Sequence, residues 1–526
     1  MHINNTQMRL SRLYIFIIAT FVLFNACRKS TVQSDGFLET VSASIAPTST
    51  VSLTSPTYVA DGIYRIRGLV PETSGGPVME VAGMNVNNGG LLQQWSWFPN
   101  NGQKWRVTKA DDVYYKIINL NSGKALDVPQ ATTEAGRQLQ QYTDNGTDAQ
   151  RWKLINVAAN TYRLVNKGNG MHVALEYNNA NTGTRIVQKP AGSFTGTEDQ
   201  FIFHNLYFQN PIVAESFADP FVTQKDGYYY AMSTTGSNIR IRKTKKMSLL
   251  SQTAPVTVWT PPAGTAYSKN IWAPELHYLD GKWYMYFAAN DGTADNHRMH
   301  VLENANNDPA TANWVYKGKI ADASNQWAID GTVLVSGTQK WFIWSGWEST
   351  ATRFKQHLYI ASMSNPWTIS SARTKISSPT NVWEKYEGSA NGDFVGATGV
   401  NEGPIILKRT SGSTWYLVFS VSRYNSDNYS LATMNLIGGG DPMNAAHWVN
   451  KKRVFTSANG VYGPGHNSFF TSGSEHWIFY HARNTANTPN GSRTARIQKI
   501  SWDSNGAPIF GTPVSTSSQL EIPAGE

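Results

Sequence analysis

The sequence predicts an all-β protein, a β-trefoil followed by a five-bladed β-propeller, and three observations carry that prediction. The first is a run that recurs five times after residue 210: Tyr228-Tyr229-Tyr230, Trp283-Tyr284-Met285-Tyr286-Phe287, Trp341-Phe342-Ile343-Trp344, Trp415-Tyr416-Leu417-Val418-Phe419 and Trp477-Ile478-Phe479-Tyr480. The runs start 55 to 74 residues apart, each after a Gly or polar turn such as Lys225-Asp226-Gly227 or Leu279-Asp280-Gly281. Aromatic and β-branched runs between turn signals are buried strands. A unit of four short strands recurring at that period is a propeller blade. The second observation is a shorter repeat upstream. Gln103-Lys104-Trp105 returns as Gln150-Arg151-Trp152 and, in degenerate form, as Gln200-Phe201-Ile202, a period of 47 to 50 residues. Three copies are too few for a solenoid and fit the threefold symmetry of a trefoil. The third is composition: 18 Trp, 24 Tyr and 21 Phe against 15% charged residues.

In chain order, the totals come first. A length of 526 residues is too great for one domain. The net charge of +9 raises the question of an anionic partner, but the Lys and Arg are scattered in short clusters such as Arg242-Lys243-Thr244-Lys245-Lys246 and Lys451-Lys452-Arg453. Nucleic-acid binding asks for a basic stripe interleaved with stacking aromatics, and the sequence has none. The charge reads as solvated surface, and the aromatic content points to carbohydrate.

Residues 1–26 read as an export signal. Arg9 and Arg12 precede an apolar run from Leu13 to Phe24 that is too short to span a membrane. The run ends at Asn25-Ala26-Cys27, which resembles a bacterial lipoprotein lipobox with Phe24 in place of the usual Leu. Cys27 is therefore the expected lipidation site. The expectation is an exported, membrane-anchored lipoprotein, facing the periplasm or at the cell surface, a monomer that touches the membrane through its lipid alone. Cys27 is the single cysteine, so no disulfide can form and core packing must hold the fold. Residues 27–57, rich in Ser, Thr, Val and Pro without periodicity, read as a tether.

Residues 58–205 form the expected trefoil. Before the triplets stand Gly89-Gly90-Leu91-Leu92-Gln93-Gln94-Trp95, Gly136-Arg137-Gln138-Leu139-Gln140-Gln141-Tyr142 and Gly183-Thr184-Arg185-Ile186-Val187-Gln188. The Gln-x-Trp triplets resemble the ricin-type lectin domain, also called carbohydrate-binding module family 13. That resemblance implies one sugar per repeat, held by an Asp, an aromatic platform and an Asn. The middle repeat keeps the set as Asp127, Tyr142 and Asn145, with Gln150 beside them. Asp127 can accept hydrogen bonds from vicinal hydroxyls while Tyr142 covers the apolar face of a sugar ring. The first repeat has Glu80, Trp95 and Phe98 at these places, and the third has Ala174 and no aromatic. A site is thus expected in the middle repeat, and Trp105 and Trp152 are expected in the core.

Residues 206–526 form the expected propeller. From 8 to 13 residues ahead of each aromatic run stands a polar residue in a Gly/Pro-marked segment: Ala218-Asp219-Pro220, Trp272-Ala273-Pro274-Glu275, Ile329-Asp330-Gly331-Thr332, Asn401-Glu402-Gly403-Pro404 and Gly463-Pro464-Gly465-His466. If the blades are equivalent, four carboxyls and an imidazole converge at one mouth of the central channel, an arrangement for acid–base chemistry. In this order, one per blade, the motifs resemble glycoside hydrolase family 43. The resemblance implies an inverting hydrolase with Asp219 as general base, Glu402 as general acid and Asp330 holding Glu402 and raising its pKa. Inversion asks for roughly 6.5–9.5 Å between acid and base carboxyls, leaving room for a water. His466 is implied as an axial residue and a candidate ligand of a structural Ca2+; no other cofactor is expected.

Phe221, Trp272, Glu275, Arg423 and Arg483 are the candidate substrate-binding residues, and Trp344, Trp347 and Trp383 are candidate walls of further subsites. The strings at 270–277, 460–469 and 480–484 are most similar to α-L-arabinofuranosidases of that family. The implied activity is release of terminal α-L-arabinofuranosyl units from plant cell-wall arabinan or arabinoxylan. Three alternatives stay open on the sequence. They are a β-xylosidase, another activity of the family (endo-arabinanase or β-1,3-galactanase, the latter disfavoured by an intact Asp219), and a glycan-binding surface lipoprotein without catalysis.

Overall fold

A computed structural model describes residues 58–70, 76–410 and 414–526. The expected export signal, the lipidation site Cys27 and the tether lie outside the described residues. Those described form strands joined by turns and short 3-10 segments, and no helix among them is long and apolar enough to cross a membrane.

The first body is a trefoil whose strands run from Gly62–Gly68 to Phe201–Asn205. Its threefold pattern is written in the backbone. Gly89, Gly136 and Gly183, with φ of 80 to 84°, donate their N–H to the carbonyls of Gln141, Gln188 and Gln94. Those three glutamines are buried, and each amide reaches the carbonyls of a loop in another repeat: Gln94 to Asn179 and Asn181, Gln141 to Asn85 and Asn87, Gln188 to Thr132 and Glu134. The buried amides thus find their partners in the carbonyls of surface loops, which ties the three repeats together. Trp105 and Trp152 are fully buried, as expected, and donate their indole N–H to Met79 and Leu126. The third triplet is shifted by one residue from its expected frame. The side chain that enters the core is Phe201, and Lys104, Arg151 and Gln200 carbonyls accept equivalent bonds from Leu120, Lys167 and Leu69. The triplet is therefore Asp199-Gln200-Phe201, because an aromatic must fill the place that Trp fills elsewhere.

The second body is five antiparallel sheets. Their innermost strands are Phe221–Lys225, Lys269–Leu279, Ala328–Ser336, Asn401–Leu407 and Tyr462–Ser472. The aromatic runs are the second strands, and they are continuous because both faces of a blade are buried against neighbours. Trp283, Met285 and Phe287 point into the core shared with the first blade; Tyr284, Tyr286 and Ala288 point into that shared with the third. Trp341 and Ile343 likewise separate from Phe342 and Trp344, and Trp477 and Phe479 from Ile478 and Tyr480. Five apolar clusters thus fill five inter-blade layers. The ring closes where Ile212 and Val213 bond Ala495 and where Ser468 of the last blade bonds Pro220 and Val222 of the first.

One distortion recurs around the ring. Four of the five lose register at the motif: between Trp272 and Glu275, Ile329 and Thr332, Glu402 and Ile405, Gly465 and Ser468. Positive φ accompanies it, at Asp219 (55°), Ala273 (42°), Asp330 (55°), Gly403 (54°) and His466 (42°). A bulge bends a strand and re-aims its side chains, and four of the motifs turn a polar side chain, Asp219, Asp330, Glu402 and His466, inward at one level of the ring.

Candidate active site

At that level lies a cavity of about 410 Å³ lined by residues of all five blades, among them Asp219, Trp272, Asp330, Glu402 and His466. The two carboxyls expected to do the chemistry sit in opposite electrostatic surroundings. Burial would raise the pKa of Asp219, but Arg493, His466 and His481 and a hydrogen bond from Thr234 together hold it far below the ordinary carboxylate value. Arg493 Nη1 is 2.9 Å from Asp219 Oδ1, Thr234 Oγ1 donates to Oδ2 at 2.6 Å, and the Asp219 N–H donates to His481 Nδ1 at 3.0 Å. Thr234 is itself oriented by accepting the Ala273 N–H at 2.8 Å. Burial also lowers the pKa of both imidazoles against the pull of Asp219, so they stay neutral at pH 7 and Arg493 supplies the fixed positive charge.

Glu402 is the reverse case. Burial raises its pKa to about 7, and Asp219 adds to the rise; a hydrogen bond from Tyr429 and the charges of Arg493 and Arg423 oppose it. Asp330 is raised well above the carboxylate range by burial and by the nearness of Glu402 and Asp219. Its Oδ2 accepts the Gly403 N–H at 3.0 Å, which ties it to the strand that carries Glu402. Glycine suits position 403: φ is 54°, and a Cβ there would stand a tight 3.2 Å from the His466 ring. The cavity thus holds one carboxyl kept ionised and another kept protonated, the asymmetry that acid–base chemistry uses.

Of the expected substrate contacts, Trp272 and Arg423 line the cavity, as does Trp347. Trp272 stacks on His297 at 4.0 Å, and Trp347 stacks on Trp327 at 4.7 Å. Three other candidates do not line the cavity. Phe221 is packed in the core between the first two blades and against His277. The Glu275 carboxylate is paired at 2.8 Å with His277. Arg483 is buried, bonding Asp427 at 2.7 Å and the Tyr424 carbonyl at 3.1 Å. Its work is to hold the turn that presents Tyr424 to the cavity. Trp344 belongs to an inter-blade core, and Trp383 packs against another.

The sequence reading missed Arg493, Thr234, Tyr424, Trp327, His297 and Phe354, all lining the cavity. None sits in a blade motif. Phe354 alone carries a local mark, a bulky side chain at φ 72° whose ring is held edge-on to Trp347 at 5.6 Å.

Ca2+ takes six to eight oxygen ligands, and among the described residues no three His, Cys, Asp or Glu side chains are grouped to hold a metal ion. His466 Nδ1 lies 3.4 Å from Asp219 Oδ1, an oxygen already paired with Arg493.

In the trefoil, Asp127 is buried and its two oxygens accept from Gln140 at 2.7 Å and Gln150 at 3.0 Å. Gln150 also takes the Asn145 N–H at 2.9 Å, so it is a brace that fixes Asp127 against the Asn145 turn, and Tyr142 stands exposed beside them. The first repeat has the same frame. Glu80 accepts from Gln93 and Gln103, both at 2.8 Å, and Gln103 takes the Phe98 N–H at 2.7 Å. Trp95 is as exposed as Tyr142, both 39%.

A propeller with oppositely shifted carboxyls at its axis, joined to a trefoil that sets exposed aromatics beside buried carboxylates, has the features of a carbohydrate-active protein. Known proteins agree. The profile of Glycosyl hydrolases family 43 matches residues 208–508, more than half of the chain, and that of the Ricin-type beta-trefoil lectin domain-like family matches residues 101–189. The chain belongs to glycosyl hydrolase family 43. It is 38% identical over 325 residues to the extracellular exo-α-(1→5)-L-arabinofuranosidase of Streptomyces avermitilis, an alignment covering 59% of this chain and 64% of that one. The chain thus spans just under two thirds of that relative's length. Its identity to the protein of the same name from Streptomyces chartreusis is 32%, over 52% of this chain and 82% of that one. The crystal structure of an α-L-arabinofuranosidase from Lactobacillus brevis superposes with a TM-score of 0.53 at 32% identity, covering 59% of this chain and 98% of that one.

Proposed function

We propose that the chain is an inverting glycoside hydrolase that releases terminal α-L-arabinofuranosyl residues from arabinan or arabinoxylan. The observation that carries this reading is the electrostatic asymmetry of the cavity, with Asp219 held ionised by Arg493 and Glu402 kept protonated up to about pH 7. Glu402 gives its proton to the glycosidic oxygen as the C–O bond breaks and the bonding pair leaves with that oxygen. A water on the opposite face of the sugar attacks the anomeric carbon and passes its proton to Asp219. Burial, with like charge from Asp219, keeps Glu402 a neutral acid at rest. The stacked Trp272–His297 and Trp327–Trp347 pairs give the apolar face of a sugar its walls. The names of the relatives favour the arabinofuranosyl group over xylosyl.

The trefoil holds the enzyme on polysaccharide through Asp127 and Tyr142, raising the local concentration of chain ends. Export and a lipid at Cys27 would set this at a bacterial membrane, as a monomer with no cofactor in the chemistry. The test is turnover of α-1,5-arabino-oligosaccharides by wild type, Asp219→Asn and Glu402→Gln, with binding followed by calorimetry. Wild type should turn over and both variants should bind without turnover. Variants that retain the wild-type rate would overturn the assignment, and a wild type that binds but does not cleave would make the propeller a glycan-binding module.

A further inference from the structure

A fully buried tyrosine stands behind the acid, with no part in the chemistry above. Tyr429 is 0% exposed, does not line the cavity, and donates its hydroxyl to Glu402 Oε1 at 2.8 Å. We propose that Tyr429 is the positioning residue that reserves Oε1 of Glu402 as an acceptor, so that the acid proton sits on Oε2 and faces the glycosidic oxygen. The proposal rests on Glu402 being the general acid.

The direction of that donation is fixed by what lies behind it. Ser420 Oγ accepts the backbone N–H of His466 at 2.7 Å, and the Ser420 hydroxyl is bonded to that of Tyr429. A backbone N–H can only donate. Ser420 keeps a second lone pair, but its hydroxyl lowers the Tyr429 pKa as a donor does, so the serine proton points at the Tyr429 oxygen and the tyrosine proton is left for Glu402. The relay His466 N–H, Ser420 O–H, Tyr429 O–H, Glu402 Oε1 therefore runs one way, and bonds in such a chain strengthen one another. The tyrosine cannot ionise to reverse it, since burial and the nearby Glu402 carboxyl raise its pKa well above the ordinary value.

The fold makes room for this ring. A Cβ on Gly465 would stand 2.3 Å from Tyr429 Cε1, so the Gly463-Pro464-Gly465 segment is shaped around it. On its other face Tyr429 stacks on His481 at 5.7 Å and 11°, the imidazole that receives the Asp219 N–H. One buried pair of rings thus backs both the acid and the base. The relay also tunes the acid. Besides Tyr429, the charged and titratable groups around Glu402 are Asp330, Asp219, Arg493, Arg423, His466 and His481. Of these Asp219 raises its pKa while Arg493 and Arg423 lower it, and Tyr429 is the one that bonds its carboxyl directly.

The experiment compares wild type, Tyr429→Phe and Tyr429→3-fluorotyrosine on two substrates, arabinobiose with its poor leaving group and p-nitrophenyl α-L-arabinofuranoside with a good one. Loss of the donor should move the alkaline limb of the kcat/KM profile up by about one pH unit. It should lower kcat on arabinobiose by about tenfold more than on the aryl glycoside, because the aryl leaving group needs little protonation. The fluorinated side chain keeps the ring and donates more strongly, so the limb should move down. Opposite shifts in the two variants support the proposal, and the fluorinated variant alone carries the test if the Phe variant does not fold. Unshifted limbs, or a loss equal on both substrates, would overturn it while leaving the glycosidase reading intact. A wild type inactive on both substrates would overturn both.

Discussion

Each carboxyl at the axis carries an opposite pH signature. Between pH 4.5 and about 7 folded Glu402 still holds a proton that the unfolded chain has released, so the folded state binds more protons and its stability falls as pH rises through that window. Glu402→Gln removes this penalty; its melting temperature should gain on wild type from about pH 4.5 to 7, and a constant difference would contradict the raised pKa. Asp219 has the opposite sign. Its folded pKa is depressed, so its contribution is complete above the unfolded value of 3.8 and is lost as pH falls below it. Asp219→Asn leaves Arg493, a cavity-lining side chain 22% exposed, without its partner and should cost about 1–3 kcal/mol at neutral pH, measured by denaturant unfolding. In the rate profile the alkaline limb should lie near pH 7. At this scale the sequence was half legible. Asp219, Asp330 and Glu402 announce themselves because each sits in a Gly/Pro motif that the backbone needs for its bulge. Arg493 does not: it reaches Asp219 across the ring closure, 274 residues away, from a strand entry whose Pro489-Asn490-Gly491 turn looks like any other.

The elements were the most legible part of the chain. A second strand buried on both faces must be apolar at every position, so the aromatic runs stood out against the alternating trefoil strands such as Gly90–Trp95. The same fact makes them costly to alter. Trp283 is fully buried in the layer between the first and second blades, and Trp283→Ala should destabilise the fold by about 3–5 kcal/mol. A change under 1 kcal/mol in the unfolding free energy would contradict the layer account. The frame error in the third trefoil triplet has the same origin. Sequence matching favoured the Gln at position 200, whereas packing selects the aromatic at 201, because burying Phe201 matters more than keeping the amide. The inward bulges were not legible as such; positive φ at Asp219, Asp330 and His466 is imposed by ring geometry against local preference.

For the whole molecule, the account divides labour between two bodies that meet at the C-terminal segment, where Leu520–Glu521 pairs with Tyr207–Phe208 and Glu521 bonds Lys104 of the trefoil. Tyr142→Ala should weaken retention on insoluble arabinan and slow its degradation several-fold, while turnover of a soluble aryl glycoside stays unchanged; an equal loss on both would tie the trefoil to the chemistry instead. The central claim, a single-displacement hydrolysis between Asp219 and Glu402, is tested most directly by following the anomeric protons during the first minutes of cleavage of α-1,5-arabino-oligosaccharides by NMR. The account predicts that free arabinose appears first as the β-anomer and only later equilibrates, whereas first appearance as the α-anomer would mean retention and contradict the roles assigned to both carboxyls.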